Sequence, residues 1–114
     1  MRLLKILEGL LKESKSIFFP RKYNKLVVKY RNKPANIKLL KQLEQILKQD
    51  GTIQGHGLHG IRQPIKSEYD GKMHTGWKVV YVSKSDDLRL AYLKHKDGTI
   101  EVKFGKASDI GYSH

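Results

Sequence analysis

The sequence predicts an α+β domain of order β-α-β-β-β, with helices covering one face of an antiparallel sheet and an amphipathic helix added at the N-terminus. Two observations predict this class. Apolar residues recur at helical spacing between positions 34 and 50, and they form three short strand-like runs between positions 77 and 104. With 114 residues, 39% of them hydrophobic, the chain is long enough for one domain with its own core.

The first 20 residues predict an amphipathic helix that ends at Pro20. Its apolar stripe consists of Leu3, Leu4, Leu7, Leu10 and Leu11. Charged residues interrupt this segment, so we expect neither a secretory signal nor a membrane span. We expect the stripe to pack on the core, with binding to a membrane surface as the alternative. Residues 1–22 are thus predicted to be a helical extension, and residues 23–114 the core of the single domain.

A strand and then a helix are predicted next. Residues 25–31 combine β-branched and aromatic side chains in an alternating pattern that is typical of a strand. Pro34 suits the first turn of a helix, and an apolar stripe follows it at Ile37, Leu40, Leu43 and Leu47. The glycine at position 51 is predicted to end that helix.

The rest of the chain divides into a glycine-rich segment and a predicted meander. Residues 52–76 contain five glycines and three histidines, a composition that predicts loops or a short irregular strand. Residues 77–82, 88–93 and 100–104 predict three strands. Asp86-Asp87 and Asp97-Gly98 separate them and supply the residue types that tight turns need. The three strands are therefore expected to pair antiparallel.

The chain carries a large excess of positive charge. It has 23 Lys and Arg residues against 11 Asp and Glu, a formal net charge of +12. Such an excess favours a polyanionic partner, such as nucleic acid or an acidic protein. The absence of cysteine excludes disulfides, thiolate nucleophiles and Cys-ligated zinc.

Imidazole and cationic groups are the candidates for chemistry. Cleavage of an RNA phosphodiester needs a base, an acid and a cation that offsets charge on the phosphorane, and it needs no metal. Imidazole suits both proton transfers because its ordinary pKa is about 6.5. The candidates are His56, His59, His74, His114, Arg62 and Arg89, with the lysines that flank them.

Other interpretations of these residues are open. The histidines of the glycine-rich segment could begin a metal site, but no cysteine or clustered carboxylate completes a familiar ligand pattern, so no metal is predicted. We expect His95, between two lysines, to be exposed to solvent. Trp77 could stack on a base, although aromatic residues at strand positions more often belong to the core. Tyr112 follows the last regular element and is freer to contact a ligand.

Two short motifs resemble the RelE/ParE superfamily of toxins, particularly its YafQ-like branch. They are residues 55–60, which read Gly-His-Gly-Leu-His-Gly, and residues 73–81, which read Met-His-Thr-Gly-Trp-Lys-Val-Val-Tyr. In that branch a His-x-Leu-x-Gly step precedes a His, a Trp and a strand that ends in Tyr. The resemblance covers residues 25 to about 111.

The resemblance implies a RelE-like fold and a ribosome-dependent endoribonuclease that cuts mRNA in the decoding site and is inhibited by an antitoxin. By position, His56 and His74 would match the histidines of the branch, and Trp77 the residue that opens the core strand. There are departures. Gly76 stands where the family has an acidic residue, Lys106 where it has a late histidine, and an extra strand is inserted near residues 88–96.

We therefore predict a cytoplasmic RNA-cleaving toxin that needs no cofactor, with mRNA on the ribosome as substrate and an acidic antitoxin or immunity protein as partner. The predicted base is His56 or His74, and the predicted acid is His74 or His114. Charge on the phosphorane would be offset by Arg62, Arg89 or Lys106. The predicted RNA contacts are His59, Arg62, Lys72, Trp77, Lys78, Arg89 and Tyr112.

Two alternatives remain. One is the ribonuclease domain of a secreted or contact-delivered toxin with a barnase-like or colicin-like sheet, which would act on tRNA or free RNA. The other is a module that binds RNA or DNA and cuts nothing. Lys106, in place of the family's histidine, favours this second alternative.

Overall fold

The computed structural model describes residues 15–113, an α+β fold built around a five-stranded mixed sheet. The strands of this sheet lie in the order β1-β7-β6-β5-β2, and β3 and β4 form a separate two-stranded sheet. The described elements are β1 (Ile17–Phe18), α1 (Arg21–Lys29), α2 (Pro34–Asp50), β2 (His59–Gly60), β3 (Ile65–Lys66), β4 (Met73–His74), β5 (Lys78–Ser83), β6 (Leu88–Lys94), β7 (Ile100–Gly105) and α3 (Ala107–Ile110). The coarse α+β prediction is confirmed.

The predicted strand at residues 25–31 is wrong, because residues 25–29 belong to helix α1 and residues 30–31 to the turn that follows it. Tyr23 and Leu26 are buried at a spacing of three residues, whereas Val28, which the alternating pattern placed on the same face as Leu26, is 55% exposed. Pro20 precedes the helix with an extended backbone. Packing of the Tyr23 and Leu26 face on the sheet thus overrides the local β propensity.

The first strand instead lies upstream of this helix. β1 pairs parallel with β7, with Ile17 opposite Ile100, so the sheet is mixed and not purely antiparallel as predicted. Residues 15–20 are therefore not helical, although the sequence placed them in the helical extension. The predicted stripe from Leu3 to Leu11 lies outside the described residues.

Helix α2 is confirmed at the predicted boundaries. Pro34 occupies its first turn, and Gly51 ends it in the left-handed conformation with a φ of 76°. The Gly51 N–H donates to the Leu47 carbonyl at 2.9 Å, which satisfies one of the carbonyls at the helix end. Three residues of the predicted stripe are completely buried, namely Leu40, Leu43 and Leu47.

The predicted antiparallel meander is also confirmed. β5 pairs antiparallel with β6, and β6 with β7. The turns contain Asp87 and Gly98, with φ of 61° and 92°. Within residues 15–113, no helix is long and apolar enough to cross a membrane.

Both faces of the sheet are covered. Helices α1 and α2 pack on the face formed by Val80, Leu90, Val102 and their neighbours. On the other face, Trp77, Val79 and Ala91 pack against Ile65 of β3 and Ile110 of α3. Side chains alternate between the two faces along each strand. Tyr81 and Arg89 therefore lie on the second face, at one end of β5 and β6.

Candidate functional site

The glycine-rich loop that follows α2 lies against Tyr81 of β5. The carbonyl of His56 accepts a hydrogen bond from the Tyr81 N–H at 2.7 Å. Gly57 has a φ of 72°, and a Cβ atom built on it would lie 2.7 Å from Cδ2 of the Tyr81 ring. Glycine is needed here for both its backbone conformation and its close approach to the ring. The loop continues into β2, where His59 lies opposite Val79.

Three basic side chains surround the ring of Tyr81. The Arg89 guanidinium carbon lies 5.2 Å from the ring centroid, and Nζ of Lys84 lies 5.4 Å from it. The ring of His59 lies 5.9 Å away, centroid to centroid. The ring centroid of Tyr112 lies 6.0 Å from the same guanidinium carbon of Arg89. We call His59, Tyr81, Lys84, Arg89 and Tyr112 the tyrosine cluster.

The guanidinium of Arg89 is the buried centre of this cluster. Arg89 lies opposite Tyr81 in the register of β5 and β6, and its side chain is 1% exposed. Asp87 is its ion-pair partner at 2.9 Å. Nε of Arg89 and the hydroxyl of Tyr112 are buried without a hydrogen-bond partner among the described residues. Burial also raises the pKa of the Tyr112 phenol, against the opposing effect of the Arg89 charge.

Unpaired buried polar atoms are rare in native proteins, because each loses its hydrogen bonds to water. The two in the tyrosine cluster are donors, and the cluster also carries the charges of Lys84 and Arg89. The arrangement thus suits a ligand with anionic oxygens and flat rings, since aromatic side chains stack on such rings.

A second group of polar side chains consists of Asp70, His74, His95 and Glu101, which we call the histidine–aspartate cluster. Nε2 of His74 lies 2.7 Å from Oδ2 of Asp70, and Nε2 of His95 lies 2.9 Å from Oε1 of Glu101. Nδ1 of His95 lies 3.8 Å from the same Asp70 oxygen. The first three residues line an open cleft of about 540 Å³.

The ionisation of Asp70 is shifted in this cluster. The backbone N–H of Lys72 donates to Oδ1 of Asp70 at 2.9 Å. This hydrogen bond, helped by those from His74 and Ser67 and opposed by partial desolvation, lowers the pKa of Asp70 to about 2. Asp70 is therefore an anion throughout the neutral range.

The prediction that His95 is exposed is wrong, because its side chain is only 7% exposed. It turns inward toward Glu101, which is completely buried. Glu101 also accepts a hydrogen bond from the Ser67 hydroxyl and one from the Glu68 N–H. Asp70 and Glu101 were missed from the sequence. The spacing of Asp70 and His74, four residues apart, was the available signal.

The two clusters lie at opposite ends of β6. Arg89 is near the start of this strand, and His95 follows its last residue, Lys94. Six residues of extended chain span about 20 Å. The structure therefore does not bring His56 and His74 together, although the sequence proposed them as partners. Instead it places His56 and His59 beside Tyr81.

The remaining predicted site residues are dispersed. Trp77 is completely buried on the second face of the sheet, so its prediction as a base-stacking residue is wrong and the alternative that it belongs to the core is correct. Lys106 follows Gly105, which lies opposite Arg89 in the register of β6 and β7, but it lines a recess with Tyr30 and Asp86 and does not contact the Tyr81 ring in the tyrosine cluster. Arg62, Lys72 and Lys78 are exposed in different places: Lys72 lines the histidine–aspartate cleft and Lys78 a recess with Tyr92. His114 lies outside the described residues.

Comparisons with known proteins give no relative for this chain. No family model, no curated protein and no solved structure matches it.

Proposed function

We propose that the protein is an endoribonuclease toxin that binds RNA at the tyrosine cluster and cleaves it there by acid–base chemistry. The observation that carries this proposal is the contact of Tyr81 with His59, Lys84 and Arg89. The net charge of +12 supports a polyanionic substrate. The resemblance of residues 55–60 and 73–81 to RelE/ParE toxins supports mRNA on the ribosome as that substrate, and an acidic antitoxin as partner.

The hydrogen bonding of His59 supports its assignment as the base. Its Nδ1 lies 2.8 Å from the carbonyl oxygen of Gly57. A carbonyl can only accept, so Nδ1 carries the proton, and in the neutral ring Nε2 has a free lone pair. This nitrogen would take the proton of the ribose 2′-hydroxyl as its oxygen attacks the phosphorus.

The positions of the other side chains suggest their roles in the reaction. His56, exposed on the same loop, would protonate the 5′-oxygen as its bond to phosphorus breaks. The exposed Lys84 would offset the charge of the phosphorane, the buried Arg89 would add positive charge from its place against the Tyr81 ring, and Tyr81 would stack on a base. The products would be a 2′,3′-cyclic phosphate and a 5′-hydroxyl.

The test is a cleavage assay with purified protein, run on labelled free RNA in EDTA and on mRNA in translating ribosomes in Mg²⁺ buffer with a zinc-selective chelator. We expect cleavage with cyclic phosphate ends. His56→Ala and His59→Ala should each lower the rate by at least about 100-fold, the loss typical of an acid–base group. Lys84→Ala should weaken RNA binding more than Lys48→Ala, a matched control that removes the same charge from the exposed surface of α2.

The pattern of cleavage distinguishes the classes of ribonuclease. Cleavage on ribosomes alone supports an mRNA interferase, whereas efficient cleavage of free RNA supports a barnase-like or colicin-like enzyme. A protein whose His74→Ala variant is inactive while His59→Ala is fully active would have its site at the other end of β6, which would contradict the proposal.

A second candidate function is RNA binding without cleavage. The burial of Arg89 favours binding over cleavage, since a side chain that is 1% exposed contacts a phosphorane only after its neighbours move, whereas the exposed Lys84 and the ring of Tyr81 can bind RNA without it. RNA that is bound at the tyrosine cluster and stays intact in both assays would establish this function in place of the first.

A further inference from the structure

We infer that Asp70, His74 and His95 form a binding site for a divalent transition metal, with Zn²⁺ as the ion that fits this ligand set. One ligand atom from each of the three residues lies within 4.8 Å of the other two. The rings of His74 and His95 are 5.3 Å apart and nearly perpendicular, at 88°. Two imidazoles and a carboxylate form a set that zinc takes up in catalytic sites, with its fourth position open.

The hydrogen bond from His95 to Glu101 leaves the other ring nitrogen of His95, Nδ1, free to bind a metal. A carboxylate can only accept, so Nε2 of His95 donates to it, and in the neutral ring the lone pair is on Nδ1. Nδ1 lies 3.8 Å from Oδ2 of Asp70. Two electron-rich atoms thus face each other without a proton between them. A cation between them would turn that repulsion into two bonds.

Glu101 has the position of a supporting carboxylate in a metal site. Metal-bound histidines usually donate their second N–H to a carboxylate or carbonyl, which fixes the tautomer and the orientation of the ring. Glu101 is completely buried, and the Glu68 N–H, at 2.8 Å, holds its other oxygen. His95 is therefore oriented by a rigid partner and not by solvent.

Two of the three ligand distances lie on either side of the one that zinc requires, and the third, between the two histidine nitrogens, is at most 4.8 Å. Zinc bonds to nitrogen and oxygen of about 2.0–2.1 Å place tetrahedral ligand atoms about 3.3 Å apart. The Asp70 oxygen lies 2.7 Å from His74 and 3.8 Å from His95, on either side of that value. A small rotation of the carboxylate would equalise the two distances. The ion would replace the proton shared by His74 and Asp70.

The cleft leaves room for the ion to enter and for a fourth ligand. It is open to solvent, with a volume of about 540 Å³. The ligands come from the hairpin of β3 and β4 and from the end of β6, so a bound ion would tie the two sheets together. Thiolate is absent, which favours zinc, cobalt or nickel over metals that need sulfur ligands.

The test is titration of the metal-stripped, full-length protein with Zn²⁺, followed by calorimetry, in the absence of RNA. We expect one ion per chain and a rise in melting temperature with zinc concentration. Co²⁺ at the same site should give the visible absorption of a four- or five-coordinate ion. His74→Ala and Asp70→Asn should each weaken binding by at least about 100-fold, more than the loss of a supporting group.

Two further variants separate a metal site from weak surface binding. Glu101→Gln keeps the shape of the side chain and should weaken zinc binding by about 10- to 100-fold, as expected for a supporting carboxylate. His59→Ala removes a histidine from the other end of β6 and should leave the zinc affinity within about twofold. The expected change is small because its ring contacts Tyr81 and not the cleft.

The proposal fails if stripped protein binds no zinc, or if His74→Ala and Asp70→Asn bind it as tightly as the original chain. Because His74 and Asp70 are at the surface, at least one of these variants should fold, which circular dichroism would verify. The zinc titration contains no RNA, and each cleavage assay contains a chelator that removes zinc. Failure of one proposal therefore leaves the other standing.

Discussion

Two glycine substitutions in one loop test whether the backbone at Gly57 supports the ring of Tyr81. Gly55 and Gly57 have similar left-handed backbones, with φ of 76° and 72°. A Cβ on Gly55 would meet nothing within 4 Å, whereas a Cβ on Gly57 would lie 2.7 and 3.2 Å from two atoms of the Tyr81 ring. Gly55→Ala therefore measures only the free-energy cost of the left-handed backbone, whereas Gly57→Ala adds the cost of the collision with the Tyr81 ring.

The expected magnitudes follow from these two costs. A left-handed alanine costs about 1–2 kcal/mol, and overpacking adds about 1–3 kcal/mol. Gly55→Ala should thus lower the free energy of unfolding by about 1–2 kcal/mol, and Gly57→Ala by about 2–5 kcal/mol. Urea unfolding measures both. The displaced ring should also weaken RNA binding in Gly57→Ala while Gly55→Ala binds normally. Equal stability and equal RNA affinity of the two variants would show that Gly57 does not support the Tyr81 ring.

Two other predictions concern the supports of the fold. Tyr23 donates a 2.7 Å hydrogen bond to the buried carboxylate of Glu44, so Tyr23→Phe should lower the free energy of unfolding by about 1–3 kcal/mol in urea; no measurable change would contradict the buried contact. The hydrogen bond from Lys33, with that from Asn36, lowers the pKa of Asp86 to about 2. Its stabilising effect should therefore be complete above about pH 4 and disappear as the pH falls toward about 2. The melting temperature of Asp86→Asn should then lie below that of the original chain at neutral pH and converge with it in acid; a constant difference at every pH would be contrary to this account.

The elements with a long, regular pattern could be predicted from the sequence. Helix α2 has an apolar stripe over about three turns, between a proline and a glycine, and the meander has three runs separated by turn residues. Residues 25–31 misled because their apolar residues fit both a strand and a helix. The helix is favoured because Tyr23, which lies before the segment, packs on the sheet together with Leu26. β1, with two residues and a parallel partner far along the chain, gives no local signal.

The candidate sites depend on strand register, which the sequence does not specify. The histidines of the glycine-rich segment were recognised as a group, but the structure divides them between the two ends of β6. Tyr81 meets Arg89 because the two lie opposite each other in antiparallel strands. His95 and Glu101 flank the predicted Asp97-Gly98 turn, so their proximity could have been inferred. The burial of Glu101, toward which His95 turns, could not have been inferred from the sequence.

RNA binding at the tyrosine cluster is tested most directly by a nuclear magnetic resonance titration of labelled protein with a short RNA that cannot be cleaved, in EDTA. RNA binding at the tyrosine cluster predicts that the largest shifts fall on Gly57, His59, Tyr81 and Arg89. Shifts that are largest around His74, or that spread evenly over the basic surface, would contradict it.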